Sequence, residues 1–194
     1  MDRAQELLLV ARLRAGDADA FDEVYGAFNV RLFNFLARLS NRRDLAEDLV
    51  EETWLRLVRH AHRLRPDTRL DAWLFTVARR LHISHCRSRL LEDSRSAELL
   101  GLWPSGCGER TPFELLEAGE AQRRVAGALA SMPVIYREAL LLIGIEGLRP
   151  SEAAEVCGVS SETMRQRLSR ARGLLAERVG STPGPAGALR EVIP

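Results

Sequence analysis

The sequence predicts an all-α protein made of two small helical domains joined by a flexible linker. Three observations predict it. Alternation of apolar and polar residues at period two is nearly absent. Apolar residues instead recur at helical spacing along most of the chain. Near the middle, Trp103-Pro104-Ser105-Gly106-Cys107-Gly108 is too rich in Pro and Gly to hold a helix. A chain of 194 residues suits one large domain or two small ones.

The elements follow in order. Leu7, Val10, Ala11 and Arg14 mark one side of a first helix, which stops at Gly16. Asp17 caps a second, whose buried stripe is Ala20, Phe21, Val24, Tyr25 and Phe28. Leu32, Phe33, Phe35, Leu36 and Leu39 extend that face to a break at Ser40-Asn41. Asp44 starts another helix carrying Leu45, Leu49, Trp54, Leu55 and Val58, and Arg65-Pro66-Asp67-Thr68 makes a turn. Leu70 to Arg89 reads as a long helix with Trp73, Leu74, Val77, Ala78 and Leu81 inside.

This places a first domain at 1–90 and a linker at 91–110. The second domain, 111–179, opens on Thr111-Pro112-Phe113-Glu114, where Thr caps, Pro takes the first helical position and Glu completes a capping box. Ala121, Val125, Ala128 and Leu129 follow at helical spacing. Pro133 restarts a helix through Tyr136, Leu140 and Ile143, and Gly147 ends it. Two more helices complete the domain. The Gly- and Pro-rich stretch 180–194 is expected to be a disordered tail.

Composition excludes several classes. Hydrophobic residues make up 46% and charged residues 28%, the proportions of a soluble globular protein. The longest apolar run, Ala139 to Ile143, is far too short to cross a bilayer, and Met1-Asp2-Arg3-Ala4 does not begin a secretion signal. Cys86, Cys107 and Cys157 are scattered and form no C-x-x-C pair, which points to a reducing compartment. There is no Ser-His-Asp pattern, no phosphate-cradling Gly loop and no paired-carboxylate site, so neither an enzymatic reaction nor a cofactor is expected.

The net charge of +1 conceals segregation. All basic residues are Arg, whose planar fork grips phosphates and guanine edges bidentately. Arg79, Arg80, Arg87 and Arg89 form one cluster, and Arg165, Arg167, Arg170 and Arg172 another. Between them, Ser96 to Ala118 sets Glu98, Glu109, Glu114 and Glu117 against Arg110. Two basic patches across an acidic connector suggest two nucleic-acid contacts. Charge alone fits two solvated helix faces equally well.

The segment from Pro150 to about Leu175 has the order of a helix-turn-helix. Pro150-Ser151-Glu152-Ala153-Ala154-Glu155-Val156 is a short helix and Cys157-Gly158-Val159 the turn, with Gly158 left-handed and Val159 an apolar plug. Ser160 caps the next helix, where Met164, Leu168, Ala171 and Leu175 form one buried stripe. Off that stripe lie Ser161, Glu162, Arg165, Gln166, Ser169 and Arg172, flanked by Arg167 and Arg170. Such a helix lies in the major groove of duplex DNA. Arg165 and Gln166 suit guanine and adenine edges, and Arg170 and Arg172 suit phosphates.

Four stretches in this order carry a family resemblance. Gly16-Asp17-Ala18-Asp19-Ala20-Phe21, Ala46-Glu47-Asp48-Leu49-Val50-Glu51-Glu52-Thr53-Trp54 and Asp71-Ala72-Trp73-Leu74-Phe75-Thr76-Val77-Ala78-Arg79-Arg80 resemble sigma region 2. Glu146-Gly147-Leu148 through Arg172 resembles sigma region 4. The whole chain, linker and tail apart, is similar to the sigma-70 family of bacterial RNA polymerase sigma factors, and most to its extracytoplasmic-function (ECF, group IV) type. The resemblance implies a cytoplasmic promoter-specificity subunit that binds core polymerase through the clamp helices of the largest subunit and the flap. It implies that Asp48, Glu51, Glu52 and Leu55 meet the clamp helices; their spacing puts them on one helix face. It implies that Trp73, Arg79, Arg80, Ser84, Arg87 and Arg89, with part of the loop from Arg65 to Leu70, capture the unstacked downstream (−10) strand. Region 4 would then read the upstream (−35) duplex. An anti-sigma partner that occludes the polymerase-binding surfaces, with the chain held at the membrane through it, is also implied. The family often has Asn where Arg80 stands, Asp at Ser84 and Gln at Glu51. It usually has a Ser or Thr cap where Arg149 stands, and that difference weakens the cap by about 1 kcal/mol.

Two other readings compete. A helix-turn-helix regulator that never touches polymerase would share the C-terminal domain. A metal site could form from His82, His85 and Cys86, at i, i+3 and i+4 on one helix with His60 and His62 upstream, although no fourth ligand is evident.

Overall fold

A computed structural model describes residues 2–92 and 119–180. Among them are eight α-helices, a 3₁₀ turn at Ala61–Arg63 and a π-helical segment at Leu140–Ile145. The expected capping box at Thr111, the linker at 91–110 except its first two residues, and the tail from 181 lie outside the described residues.

The N-terminal bundle is α1 (Arg3–Arg14), α2 (Ala18–Ser40), α3 (Arg43–His60) and α4 (Leu70–Glu92). Asp17 caps α2 as expected, its carboxylate accepting from the Asp19 and Ala20 amides at 2.9 and 3.3 Å. Gly16 supplies the left-handed residue before it, at φ +81°. Asn41, at φ 56°, ends the helix, and its ability to adopt a left-handed conformation explains the break there. The core stacks Val24, Phe28, Leu32, Phe35 and Leu36 of α2 against α3 and α4, with Phe35 edge-on to Phe75 at 5.2 Å.

The first helix is phased differently from the sequence expectation. Its buried side is Glu6, Leu9, Val10 and Leu13, whereas Leu7 and Leu8 are exposed along with Ala11 and Arg14. Glu6 is inside because it caps another helix: Oε1 accepts from the Leu70 amide, at the start of α4, at 2.8 Å. Tyr25, expected in a buried stripe, is also exposed, and so are Leu55 and Val58 of α3.

The C-terminal bundle is α5 (Glu120–Ala130), α6 (Val134–Ala139) running into the π segment, α7 (Pro150–Cys157) and α8 (Ser161–Gly180). Gly147, at φ +71°, ends the π segment, and Gly158, at φ +66°, turns α7 into α8. The buried residues of α8 are Met164, Leu168, Ala171 and Leu175, the stripe expected from spacing. Arg149 makes no side-chain cap at α7; instead the Glu152 carboxylate accepts from its amide at 2.8 Å, half of a capping box.

The two bundles pack on each other, and their buried apolar side chains form one continuous cluster. Helix α7 lies along α4, and α5 and α6 meet α2. The seam is polar as well. Arg137 of α6 donates to the carbonyls of Leu39 and Arg38 at the end of α2, at 3.0 and 3.3 Å, and to Ala130 and Met132 at 2.7 and 3.0 Å. A cation at a helix C-terminus also meets the negative end of its dipole. Burial still pushes the Arg137 pKa down to about 10.

Candidate docking and nucleic-acid interfaces

The first candidate surface is a groove between α2 and α3. Trp54 forms its floor. The indole donates to Asn29 Oδ1 at 3.0 Å, meets the Phe21 ring edge-on at 5.7 Å and lies 5.0 Å from the Tyr25 ring. These contacts lock an apolar surface into one shape. Tyr25, Leu55 and Val58 form its open wall, 42%, 41% and 59% exposed, and Glu47 and Glu51 line it too. Exposed apolar side chains in a concave site with carboxylates beside them suit a helix that is apolar along one face and basic along its edges.

Of the residues expected at a protein contact, Glu51 and Leu55 line this groove. Asp48 is exposed on the same helix without lining it, and Glu52 accepts from Arg56 Nε at 2.9 Å. Tyr25 and Val58 were missed as surface residues because their spacing matches that of the buried stripe. Only the packing of Phe21 against Trp54 decides which side of each helix stays open.

The second surface is the outer face of α8. Ser160 Oγ accepts from the Thr163 amide at 3.1 Å, as an N-cap should. Ser161, Glu162, Arg165, Gln166, Ser169, Arg170 and Arg172 are all exposed, and Arg167 is half-buried. Glu162 accepts from Arg165 Nη2 at 2.7 Å and from Gln166 Nε2 at 3.2 Å. The Arg165 hydrogen bond, then that of Gln166, holds its carboxyl below the usual range.

The third set, on α4, is divided. Arg80, Ser84, Arg87 and Arg89 are exposed and Trp73 is half-buried. Arg79 is buried: its Nε donates to Glu138 Oε1 of α6 at 2.8 Å and Nη2 to Oε2 at 3.3 Å. Burial raises the Glu138 pKa, an effect that Arg79 opposes. Cys157 Sγ lies 3.7 Å from the same carboxylate, and burial pushes its thiol up to about 12. His82 is buried with Nε2 3.6 Å from Cys86 Sγ. No group of three or more His, Cys, Asp or Glu among the described residues is placed to hold a metal ion.

Residues 24–90 match the family described as Sigma-70 region 2, and residues 122–175 match Sigma-70, region 4. The chain is 36% identical over 146 residues to the ECF RNA polymerase sigma factor EcfG of Rhodopseudomonas palustris (strain TIE-1), covering 73% of this chain and 75% of that one. The chain belongs to the ECF branch of the sigma-70 family. A second relative of this sigma factor is the ECF RNA polymerase sigma factor SigM of Bacillus subtilis (strain 168), 31% identical with 78% and 90% covered. RpoE of Bartonella quintana, solved with the anti-sigma factor NepR, superposes with a TM-score of 0.61 at 26% identity, covering 93% and 97%. CnrH, solved with the cytosolic domain of CnrY, has the same fold, with a TM-score of 0.69 at 22% identity over 92% and 99%. The N-terminal bundle is therefore region 2 and the C-terminal bundle region 4. The chain is an alternative sigma factor, of the family that directs transcription initiation. No helix among the described residues is long and apolar enough to span a membrane.

Proposed function

We propose that this sigma factor docks on the clamp helices of the largest polymerase subunit through the groove floored by Trp54, with Glu51, Leu55 and Val58 in contact. Region 4 lays α8 in the major groove of the upstream element, where Arg165 and Gln166 read base edges and Arg170 and Arg172 hold phosphates. Arg80, Arg87 and Arg89 on the outer face of α4 hold the opened downstream strand. The chain catalyses no reaction itself and works where polymerase and DNA are, in the bacterial cytoplasm.

The observation that carries this reading is the open apolar groove with carboxylates at its side. A regulator that only binds DNA has no use for it. An anti-sigma factor that covers the polymerase-binding surfaces keeps the chain inactive, a reading supported by the solved complex of RpoE with NepR. Gel filtration of the purified chain with bacterial core polymerase tests the docking. Co-elution as a stoichiometric complex is expected. Separate elution, with duplex binding retained, favours the helix-turn-helix regulator instead.

A further inference from the structure

The outward face of α8 is ordered about a midline. Glu162, Gln166 and Ser169 each stand two residues before a member of the buried stripe, Met164, Leu168 and Ala171 respectively. Two residues turn an α-helix by about 200°, so these three lie opposite the core. Arg165 and Arg172 stand one residue after a stripe residue, and Arg167 and Arg170 one before, which places them about 100° away on either flank. A helix of this pattern in the major groove turns its midline to the base edges and its flanking arginines to the two phosphate strands.

The carboxylate on that midline needs a reason. Helix α8 carries five arginines and two glutamates, and the other glutamate, Glu177, is near its far end. A carboxylate between two phosphate strands is repelled unless a base offers it a donor. In the major groove cytosine offers one through N4 and adenine through N6, whereas guanine and thymine present acceptors. The Glu162 side chain is 62% exposed, and the Arg165 hydrogen bond, then that of Gln166, holds it in its ionised, accepting form. The 2.7 Å bond from Arg165 Nη2 to Glu162 Oε2 also draws the guanidinium from its flank toward the midline. That bond leaves the other N–H groups of Arg165 for O6 and N7 of a guanine.

We infer that Glu162 is a specificity-determining residue of the upstream contact: its carboxylate accepts from N4 of a cytosine and holds Arg165 against the guanine of the same base pair. Cytosine N4 and guanine O6 are neighbours across that pair, so a linked carboxylate and guanidinium meet them together. The inference rests on the reading that α8 lies in the major groove. The same charge repels phosphates, so Glu162 weakens binding to unrelated duplex while it selects one pair. A carboxylate in the first turn also favours the helix dipole and pairs with Arg165 on the surface. Neither of those effects depends on the DNA sequence.

The test uses the full chain and a pool of duplex DNA with a randomised window. Sequences retained by the parent chain, Glu162→Ala and Glu162→Gln are compared, and the best-bound duplex is remade with each base pair at every position. The parent chain should require a C·G pair at one position and bind the other pairs there roughly tenfold or more weakly. Glu162→Ala should shrink that preference while tightening binding to unrelated duplex. Glu162→Gln should admit adenine in place of the cytosine, because an amide pairs with adenine N6 and N7. Circular dichroism confirms that each variant is folded. A parent preference that both substitutions leave unchanged overturns the inference. So does equal weakening on every duplex, the mark of a structural or helix-dipole role. A parent chain that retains no sequence above the rest overturns the reading of α8 as well.

Discussion

Replacing Leu55 and Val58 together by Ala tests the groove quantitatively. Leu55 is 41% and Val58 59% exposed in the free chain. Full burial of such a side chain is worth about 1.5–3 kcal/mol, so covering the exposed fraction supplies about 0.6–1.2 kcal/mol at Leu55 and 0.9–1.8 at Val58. Alanine retains part of that surface, which leaves a loss of about 1–2 kcal/mol, or roughly 5–30-fold in Kd. Both side chains lie on the open wall rather than in the core. Stability to urea should therefore fall by less than about 1 kcal/mol. Titrating labelled chain with core polymerase, with urea unfolding of each variant alongside, reads both quantities. Core affinity within twofold of the parent chain would refute the assignment of the groove. A large loss of stability would show that the two residues belong to the core.

Three further outcomes are expected. Arg165→Ala should cost roughly 1–3 kcal/mol at one base pair of the upstream duplex and relax specificity there; equal weakening on every sequence makes Arg165 a phosphate contact. Gly158→Ala meets no atom within 4 Å, so its cost is the left-handed backbone alone, about 1–2 kcal/mol by thermal or urea unfolding; no loss contradicts the turn geometry. Burial, then the charges of His85, Arg137 and Arg79, pushes the His82 pKa down from 6.5 to about 4. The unfolded chain therefore binds the extra proton first, and stability falls as pH drops from about 6.5 to about 4, by about 3 kcal/mol. Glu138 and Glu146, raised by burial, work in the opposite sense, because protonating them relieves a folded-state penalty. His82→Gln should flatten the acid limb of urea midpoint against pH, and an unchanged limb removes His82 as its cause.

What was legible in the sequence was local. Asp17, Gly147, Gly158 and Ser160 mark their turns because each does so through its own backbone or a neighbour's amide. The stripe Met164, Leu168, Ala171 and Leu175 was legible because polar residues separate its members. Helix α1 was not. Leu7, Leu8, Leu9 and Val10 are consecutive, so spacing cannot fix which side turns inward. The phase is set by Glu6 reaching the Leu70 amide, a partner 64 residues away. The groove was half legible: Glu51 and Leu55 were expected at a contact, but Tyr25 and Val58 resemble core residues in any periodic reading. Arg79 is the clearest limit. It stands beside Arg80 in a basic cluster, and only Glu138, 59 residues on, decides that one is buried and the other exposed.

Transcription from promoter DNA by purified core polymerase, with and without the chain, tests the central claim most directly. Chain-dependent transcripts should start at a defined set of promoters and disappear when the upstream or the downstream element is altered. The opposite result is a chain that binds duplex DNA yet yields no start sites beyond those of core polymerase alone. That outcome would contradict its role as a promoter-specificity subunit.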